Sequence, residues 1–210
     1  MSRARARGYA LAVLRLYGTL TSPYVRRVRV VALELGLDHE LVDTTSDAGQ
    51  AELRARSPLW KVPTAVIDGR VVFDSRVICR RLIEAAGAGA SIGLPAADDV
   101  EAENLITVVD GALDALINCF YLGRDGVEPE PASYLQKQQQ RAAASMAWID
   151  ERVAARPASA GFGLVELALC TTAEWMRFRD TYAFERHPAI VALVERHAAR
   201  PSLAQTRPPA

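Results

Sequence analysis

Three short pieces between Leu14 and Glu84 carry residue types suited to holding a thiol-bearing peptide. The first is Thr21-Ser22-Pro23-Tyr24, where a strand pattern gives way to a helix. Ser before Pro is the preferred N-cap and N1 pair, so capping alone accounts for Ser22. The same geometry also has a chemical use. A thiol with a pKa of about 8.5 is mostly protonated at neutral pH, and a hydroxyl donor beside a positive helix terminus favours the thiolate. Ser22 would then donate a hydrogen bond to a bound thiolate without acting as a base. Thr21 and Tyr17 are competing hydroxyls at the same strand end.

The second piece, Lys61-Val62-Pro63-Thr64, enters a strand, and Pro is common enough at a strand start to need no other account. The third, Asp74-Ser75, opens another helix, with Ser75 as its natural N-cap. Free N–H groups at a helix start bind carboxylates readily, and Asp74 can pair with an ammonium. Singly each piece has a structural explanation; in this order they describe a peptide-binding cleft.

The elements around them support that placement. Val13 to Tyr17 alternates as a short strand, and Pro23 begins a helix with Val25, Val28, Ala32 and Leu35 on its apolar face, closed by Gly36. Glu40 to Asp43 reads as a second strand, parallel to the first across a crossover helix, and Ala48 to Arg56 as a weak polar helix. Thr64 to Asp68 and Val71 to Phe73, joined at Asp68-Gly69, form a hairpin with a type I′ signal. Ser75 to Ala86 is a helix with Val77, Ile78, Leu82 and Ile83 turned inward. The order βαβ then αββα is that of a thioredoxin-like domain.

Residues 87–99, rich in small residues and helix breakers, read as a linker. Beyond them the pattern is entirely helical: Glu101 to Leu122, Tyr134 to Ala155, Leu164 to Phe178, apolar nearly all round like a buried central helix, and Ala189 to Ala199. The expected organisation is an N-terminal extension (1–12), a thioredoxin-like domain (13–86), the linker and a helical-bundle domain (100–210). The basic Met1 to Arg7 followed by a mildly apolar stretch imitates a signal peptide, but Leu14-Arg15-Leu16-Tyr17 already reads as the first strand. Gln138-Gln139-Gln140 reads as a solvated helix face.

Composition narrows the partners. Lys+Arg and Asp+Glu balance at 25 each, so no global field attracts nucleic acid or an anionic membrane. No apolar run reaches the roughly 18 residues that span a bilayer. Cys79, Cys119 and Cys170 are widely spaced among apolar residues, without metal-ligand or C-x-x-C spacing; they are expected to be buried, free and inert in a reducing cytosol. His39, His187 and His197 are scattered, and no metal is expected.

Taken together, these motifs resemble the glutathione S-transferase family, closest to bacterial members with Ser at the start of the active helix. The resemblance implies that glutathione binds the first domain and that Ser22 stabilises its thiolate for attack on a small electrophile held between the domains. It implies a cis Val62-Pro63 bond that leaves the Val62 N–H and C=O facing the cleft for the cysteinyl part of the peptide. Lys61 is expected to reach the glycyl carboxylate, Ser75 the γ-glutamyl carboxylate and Asp74 the ammonium. Tyr24, Asp110, Asp114, Tyr121 and Trp175 are candidates for the electrophile pocket, and a cytoplasmic two-fold homodimer follows from the same likeness. Where the family usually has a Ser/Thr cap followed three residues later by Asp, this chain has Gly163 and Glu166, leaving half a capping box. Relatives with Cys at the position of Ser22 form mixed disulfides; Ser22 does not, which argues against a thiol-disulfide oxidoreductase. A dehalogenase, isomerase or peroxidase, or a non-catalytic regulatory protein of the same fold, remain the alternatives.

Overall fold

A computed structural model describes residues 14–156 and 161–209. The expected N-terminal extension, and Val13 with it, lies outside the described residues. The chain divides between Ile92 and Gly93 into two compact units.

The first unit is a four-stranded sheet flanked by helices. Strand β1 (Leu14–Gly18) leads through α1 (Pro23–Glu34) to β2 (His39–Asp43), and α2 (Asp47–Arg56) leads to the hairpin β3 (Thr64–Ile67) and β4 (Arg70–Phe73), followed by α3 (Ser75–Ala86). The strand order is β2-β1-β3-β4, with β1 parallel to β2 and antiparallel to β3. Asp68 and Gly69 both have positive φ, 51° and 76°, as a type I′ hairpin turn requires. Helix α1 ends in a Schellman motif: Leu37 N–H donates to Ala32 O at 2.8 Å and Gly36 N–H to Leu33 O at 3.1 Å, with Gly36 at φ 65°.

Burial departs from the expected faces in several places. Val30, Val31, Arg26 and Arg27 are buried along with Val25, Val28 and Ala32, while Leu35 is only half-buried, so α1 is covered on more than one side. In α3, Ile78, Leu82 and Ile83 are buried, but Val77 is exposed. Here Cys79, rather than Val77, takes the inner position beside Ile78 and Leu82.

The second unit is helical: α4 (Val100–Arg124), α5 (Tyr134–Ala155), α6 (Leu164–Arg179), α7 (Pro188–His197) and a short α8 (Pro201–Gln205). Helix α6 is the central one, with every residue from Leu164 to Ala173 buried. Glu166 accepts from the Gly163 N–H at 3.0 Å, and its other oxygen accepts from Arg156 at 3.2 Å. The half capping box therefore forms, and an arginine neutralises the buried carboxylate.

Three expectations need correction. Gln138 is buried, accepting from Arg141 at 3.2 Å, so only Gln139 and Gln140 belong to the solvated face. Cys119 is half-buried rather than buried; burial raises its thiol pKa, which keeps it protonated, and no cysteine of the three is in a disulfide. Helix α4 is, by length and composition, long and apolar enough to cross a membrane, with a mean hydropathy of 1.6 over its best window. Its buried residues, Leu105, Val109, Leu113 and Leu116 among them, pack within a helical unit where α4 adjoins α5 and α6.

The three histidines share one electrostatic character. Burial, the largest influence on each, holds His39, His187 and His197 below the ordinary value of 6.5. His187 is the most enclosed, its Nε2 2.9 Å from the Tyr182 hydroxyl. A histidine kept neutral by the fold binds fewer protons than the unfolded chain, so its stabilisation is complete above the unfolded pKa and is lost as pH falls. Asp43, held below 3.8 chiefly by the Thr45 N–H, loses its contribution only at lower pH. The urea midpoint should therefore fall between about pH 8 and about pH 5, and His187→Phe should flatten part of that slope. A midpoint independent of pH over this window would contradict the assignment.

Candidate functional site

Strand register brings the three motifs of the first unit to one end of the sheet. Tyr17 on β1 pairs with Thr64 on β3, and Thr64 pairs in turn with Phe73 on β4. The α1 turn follows β1 at that end, Val62-Pro63 precedes β3, and Asp74-Ser75 follows β4. Segments separated by some forty and ten residues in sequence thus become neighbours because three adjacent strands alternate in direction.

At the first motif, Ser22 has the extended backbone of an N-cap and accepts from the Val25 N–H at 3.3 Å. Pro23 occupies the first helical position. Accepting that bond leaves the Ser22 hydroxyl proton available as a donor. Thr21 is 3.3 Å from Thr19, hydroxyl to hydroxyl. Tyr17 is fully buried, and its hydroxyl donates to Glu52 of α2 at 3.2 Å. Arg15 also pairs with Glu52, at 3.0 Å. Burial is the largest influence on Tyr17 and raises its pKa. Its phenol is thus committed to a carboxylate that composition alone gave no reason to single out. Gly18 closes the strand beneath α1, where a Cβ would overlap the Val25 side chain.

At the second motif the Val62-Pro63 peptide is cis. Among the described residues the Val62 N–H and C=O make no hydrogen bond. Thr64, fully buried, donates its hydroxyl to the Lys61 carbonyl at 3.1 Å and so closes the turn around the proline. Lys61 is exposed. Trp60, just before it, is 62 % exposed and adopts φ 52°, rare for a bulky residue, with Arg54 5.0 Å from its ring. Nothing in hydrophobic spacing marks Trp60; only the backbone dihedral reveals it.

The third motif differs from expectation. Asp74, not Ser75, is the N-cap of α3: its carboxylate accepts from the Arg76 N–H at 2.8 Å, and its φ is 77°. Ser75 is the first helical residue and is buried. Asp caps as well as Ser does, so the acidic residue claimed the position by one step. Among the described residues the Ser75 and Val77 N–H groups have no acceptor, which leaves donors at a helix start.

The proposed electrophile residues lie in different surroundings. Tyr24 is half-buried on α1 with the Arg27 guanidinium 4.9 Å from its ring. Asp110, Asp114 and Tyr121 share one stripe of α4, half-buried, exposed and exposed, so they are not on the inward face of the helical unit. Trp175 is 4 % exposed and meets Phe120 edge to face at 6.0 Å, which makes it a core aromatic. No group of three or more metal-ligating side chains occurs among the described residues.

Comparison with known proteins finds likenesses of sequence and fold. Residues 16–90 match the family model described as Glutathione S-transferase, N-terminal domain. An uncharacterized GST-like protein, YibF, of Escherichia coli is 25 % identical over 205 residues, 93 % of this chain and 99 % of that protein. Glutathione S-transferase 3 of Zea mays is 37 % identical over 89 residues, covering 41 % of this chain and 40 % of the maize protein. Among solved structures, a glutathione S-transferase of Methylobacterium radiotolerans in complex with glutathione sulfonate superposes with TM-score 0.78 at 26 % identity, covering 95 % of this chain and 96 % of the other. A Pseudomonas fluorescens glutathione transferase family member with bound S-(propanoic acid)-glutathione gives 0.74 at 25 % identity, covering 93 % and 100 %. The fold is a thioredoxin-like domain followed by a helical domain, as in the glutathione S-transferase structures it resembles.

Because the Tyr17 hydroxyl is spent on Glu52, Tyr17→Phe should lower stability to urea by about 1 kcal/mol, the loss of one hydrogen bond. It should leave retention on immobilised glutathione unchanged; loss of retention would return Tyr17 to the candidate site.

Proposed function

We propose that this chain is a glutathione transferase: it binds glutathione at the end of the sheet formed by β1, β3 and β4, and the glutathione thiolate attacks a small electrophile. The observation that carries this reading is the register Tyr17–Thr64–Phe73, which gathers a hydroxyl-capped helix start, an unpaired backbone edge and a second helix start with vacant N–H donors. A tripeptide thiol with one carboxylate at each end and an ammonium matches that set. The cysteinyl backbone pairs with the Val62 N–H and C=O as a short antiparallel ladder. The γ-glutamyl carboxylate takes the Ser75 N–H and hydroxyl, the ammonium faces Asp74, and Lys61 meets the glycyl carboxylate. Two relatives of similar fold hold glutathione derivatives, which supports the same ligand here.

Ser22 then acts on the thiol. Its oxygen accepts from Val25, and its proton points to a thiolate that also feels the positive end of α1. The role is stabilisation of the anion, and no proton is removed by the serine itself. Tyr24 on α1 and Asp110, Asp114 and Tyr121 on α4 are the residues proposed to contact the electrophile, whereas Trp175 lies in the core of the helical unit. A cytoplasmic homodimer accompanies the reading; the exposed Val71, Phe73 and Val77 on the edge strand β4 and on α3 offer apolar surface for a second copy.

Retention on immobilised glutathione tests binding directly. Ser75→Ala should weaken glutathione in calorimetric titration by about tenfold, the scale of a hydrogen bond to a charged group; unchanged affinity would remove the γ-glutamyl assignment. Ser22→Ala should raise the apparent thiol pKa of bound glutathione and lower turnover at neutral pH while leaving glutathione affinity nearly unchanged. The thiolate absorbance titration reads this, and an unshifted pKa would reduce Ser22 to a helix cap.

A further inference from the structure

Helix α2 has little apolar surface to hold it in place. A helix ordinarily docks by a broad apolar stripe, yet within α2 only Gly49 and Leu53 are buried. Polar contacts take over. At its start, a Cβ on Gly49 would overlap the Asp43 carbonyl oxygen, and the Gln50 amide donates to the Thr44 carbonyl at 2.7 Å. Towards its end the link is Glu52. Tyr17 donates to this carboxylate at 3.2 Å, Arg15 pairs with it at 3.0 Å, and Arg56, one turn along, at 3.7 Å. All three reach the same oxygen, Oε2. The two guanidiniums also lie against the Tyr17 ring, at 5.6 and 5.3 Å. Ion pairs this exposed contribute little singly. Here, however, two of the three partners belong to β1, and the Tyr17 ring is fully buried, so Oε2 is held against a fixed part of the sheet.

The loop after α2 is tied to the helix. Ser57, fully buried, donates its N–H to the Leu53 carbonyl at 2.8 Å, and the Trp60 N–H donates to the Ser57 carbonyl at 3.3 Å. Arg54, in the last turn of α2, has its guanidinium 5.0 Å from the Trp60 ring. Lys61 comes next, its carbonyl held from the other side by the Thr64 hydroxyl. The approach of Lys61 is thus set by α2 on one side and by β3 on the other.

We infer that Glu52 is a positioning residue for the glycyl end of bound glutathione: by tying α2 to β1 it fixes the loop that presents Lys61. This rests on the proposed contact between Lys61 and the glycyl carboxylate. Glu52 touches no ligand and acts through the helix. Tyr17→Phe removes one of its partners, but Arg15 still tethers it to β1, so retention on glutathione survives that change.

Calorimetric titration of the full chain with glutathione and with γ-glutamylcysteine, which lacks the glycyl residue, tests the role. The wild-type chain should prefer glutathione. Glu52→Ala should weaken glutathione about fivefold, the upper range for one exposed ion pair, and leave the dipeptide unchanged. Glu52→Gln keeps an oxygen that accepts from Tyr17 and Arg15, so it should retain most of the preference. Glu52→Asp keeps the charge but is one methylene short, and should behave like Glu52→Ala. In turnover, Glu52→Ala should raise KM for glutathione while kcat and the thiol pKa of the bound peptide stay where they were. Equal loss of both peptides, or a fall in kcat at unchanged KM, would overturn the inference by showing a general loosening of the domain. Unchanged glutathione affinity in Glu52→Ala, with the wild-type preference intact, would refute the role of Glu52 and leave the glutathione site standing. A wild-type chain that binds both peptides equally, or neither, would remove the Lys61 contact and the inference with it.

Discussion

Thr64 is the residue on which the arrangement of the first unit turns. It is paired to Tyr17 on one side and to Phe73 on the other, it is fully buried, and its hydroxyl returns to the Lys61 carbonyl. A slip of one residue at this position would exchange the faces of β3 and carry Val62 away from the α1 turn. The hairpin resists such a slip, since the Asp68-Gly69 turn has the dihedrals that fix a two-residue connection. Alignment of the three motifs is therefore a property of strand pairing more than of the motifs themselves. Loop contacts refine it, and Thr64 supplies the one nearest the proline.

Much of this was legible in the residues, for identifiable reasons. Ser22-Pro23, Asp68-Gly69 and Gly36 are local signals whose meaning depends on backbone sterics alone, and each falls at the junction it marks. The helices of the second unit were legible because their apolar periodicity is long. Side-chain environment was harder. Val77 and Gln138 exchanged their expected exposures because a helical face is wider than a spacing rule, and neighbouring elements decide which flank is covered. Asp74 took the capping role from Ser75 since two good caps in succession leave the choice to the approach of β4. Glu52 gave no signal, because what makes it matter is a tyrosine thirty-five positions away.

That tyrosine also shows how a fold separates candidates that composition treats alike. Tyr17, Thr21 and Ser22 offer chemically similar hydroxyls within a few residues. Tyr17 is a donor already engaged, under burial that raises its pKa, and Thr21 faces Thr19. Ser22 is an acceptor at a helix start whose proton is still to be placed. A hydroxyl that accepts from the backbone is oriented without being used up, which is what a donor to a transient anion requires.

The chain has three tryptophans, and the fold gives each a different optical environment. Trp175 is enclosed in the core, Trp148 is half-buried with the Arg152 guanidinium 4.6 Å from its ring, and Trp60 stands in solvent two residues from the Val62 backbone edge. Indole emission shifts to longer wavelength with polarity, so the red side of the emission band reports chiefly on Trp60 and the blue side on the enclosed Trp175. The strained loop thus carries an intrinsic fluorophore beside the cleft, and occupancy of the peptide-binding edge becomes visible in the unlabelled protein.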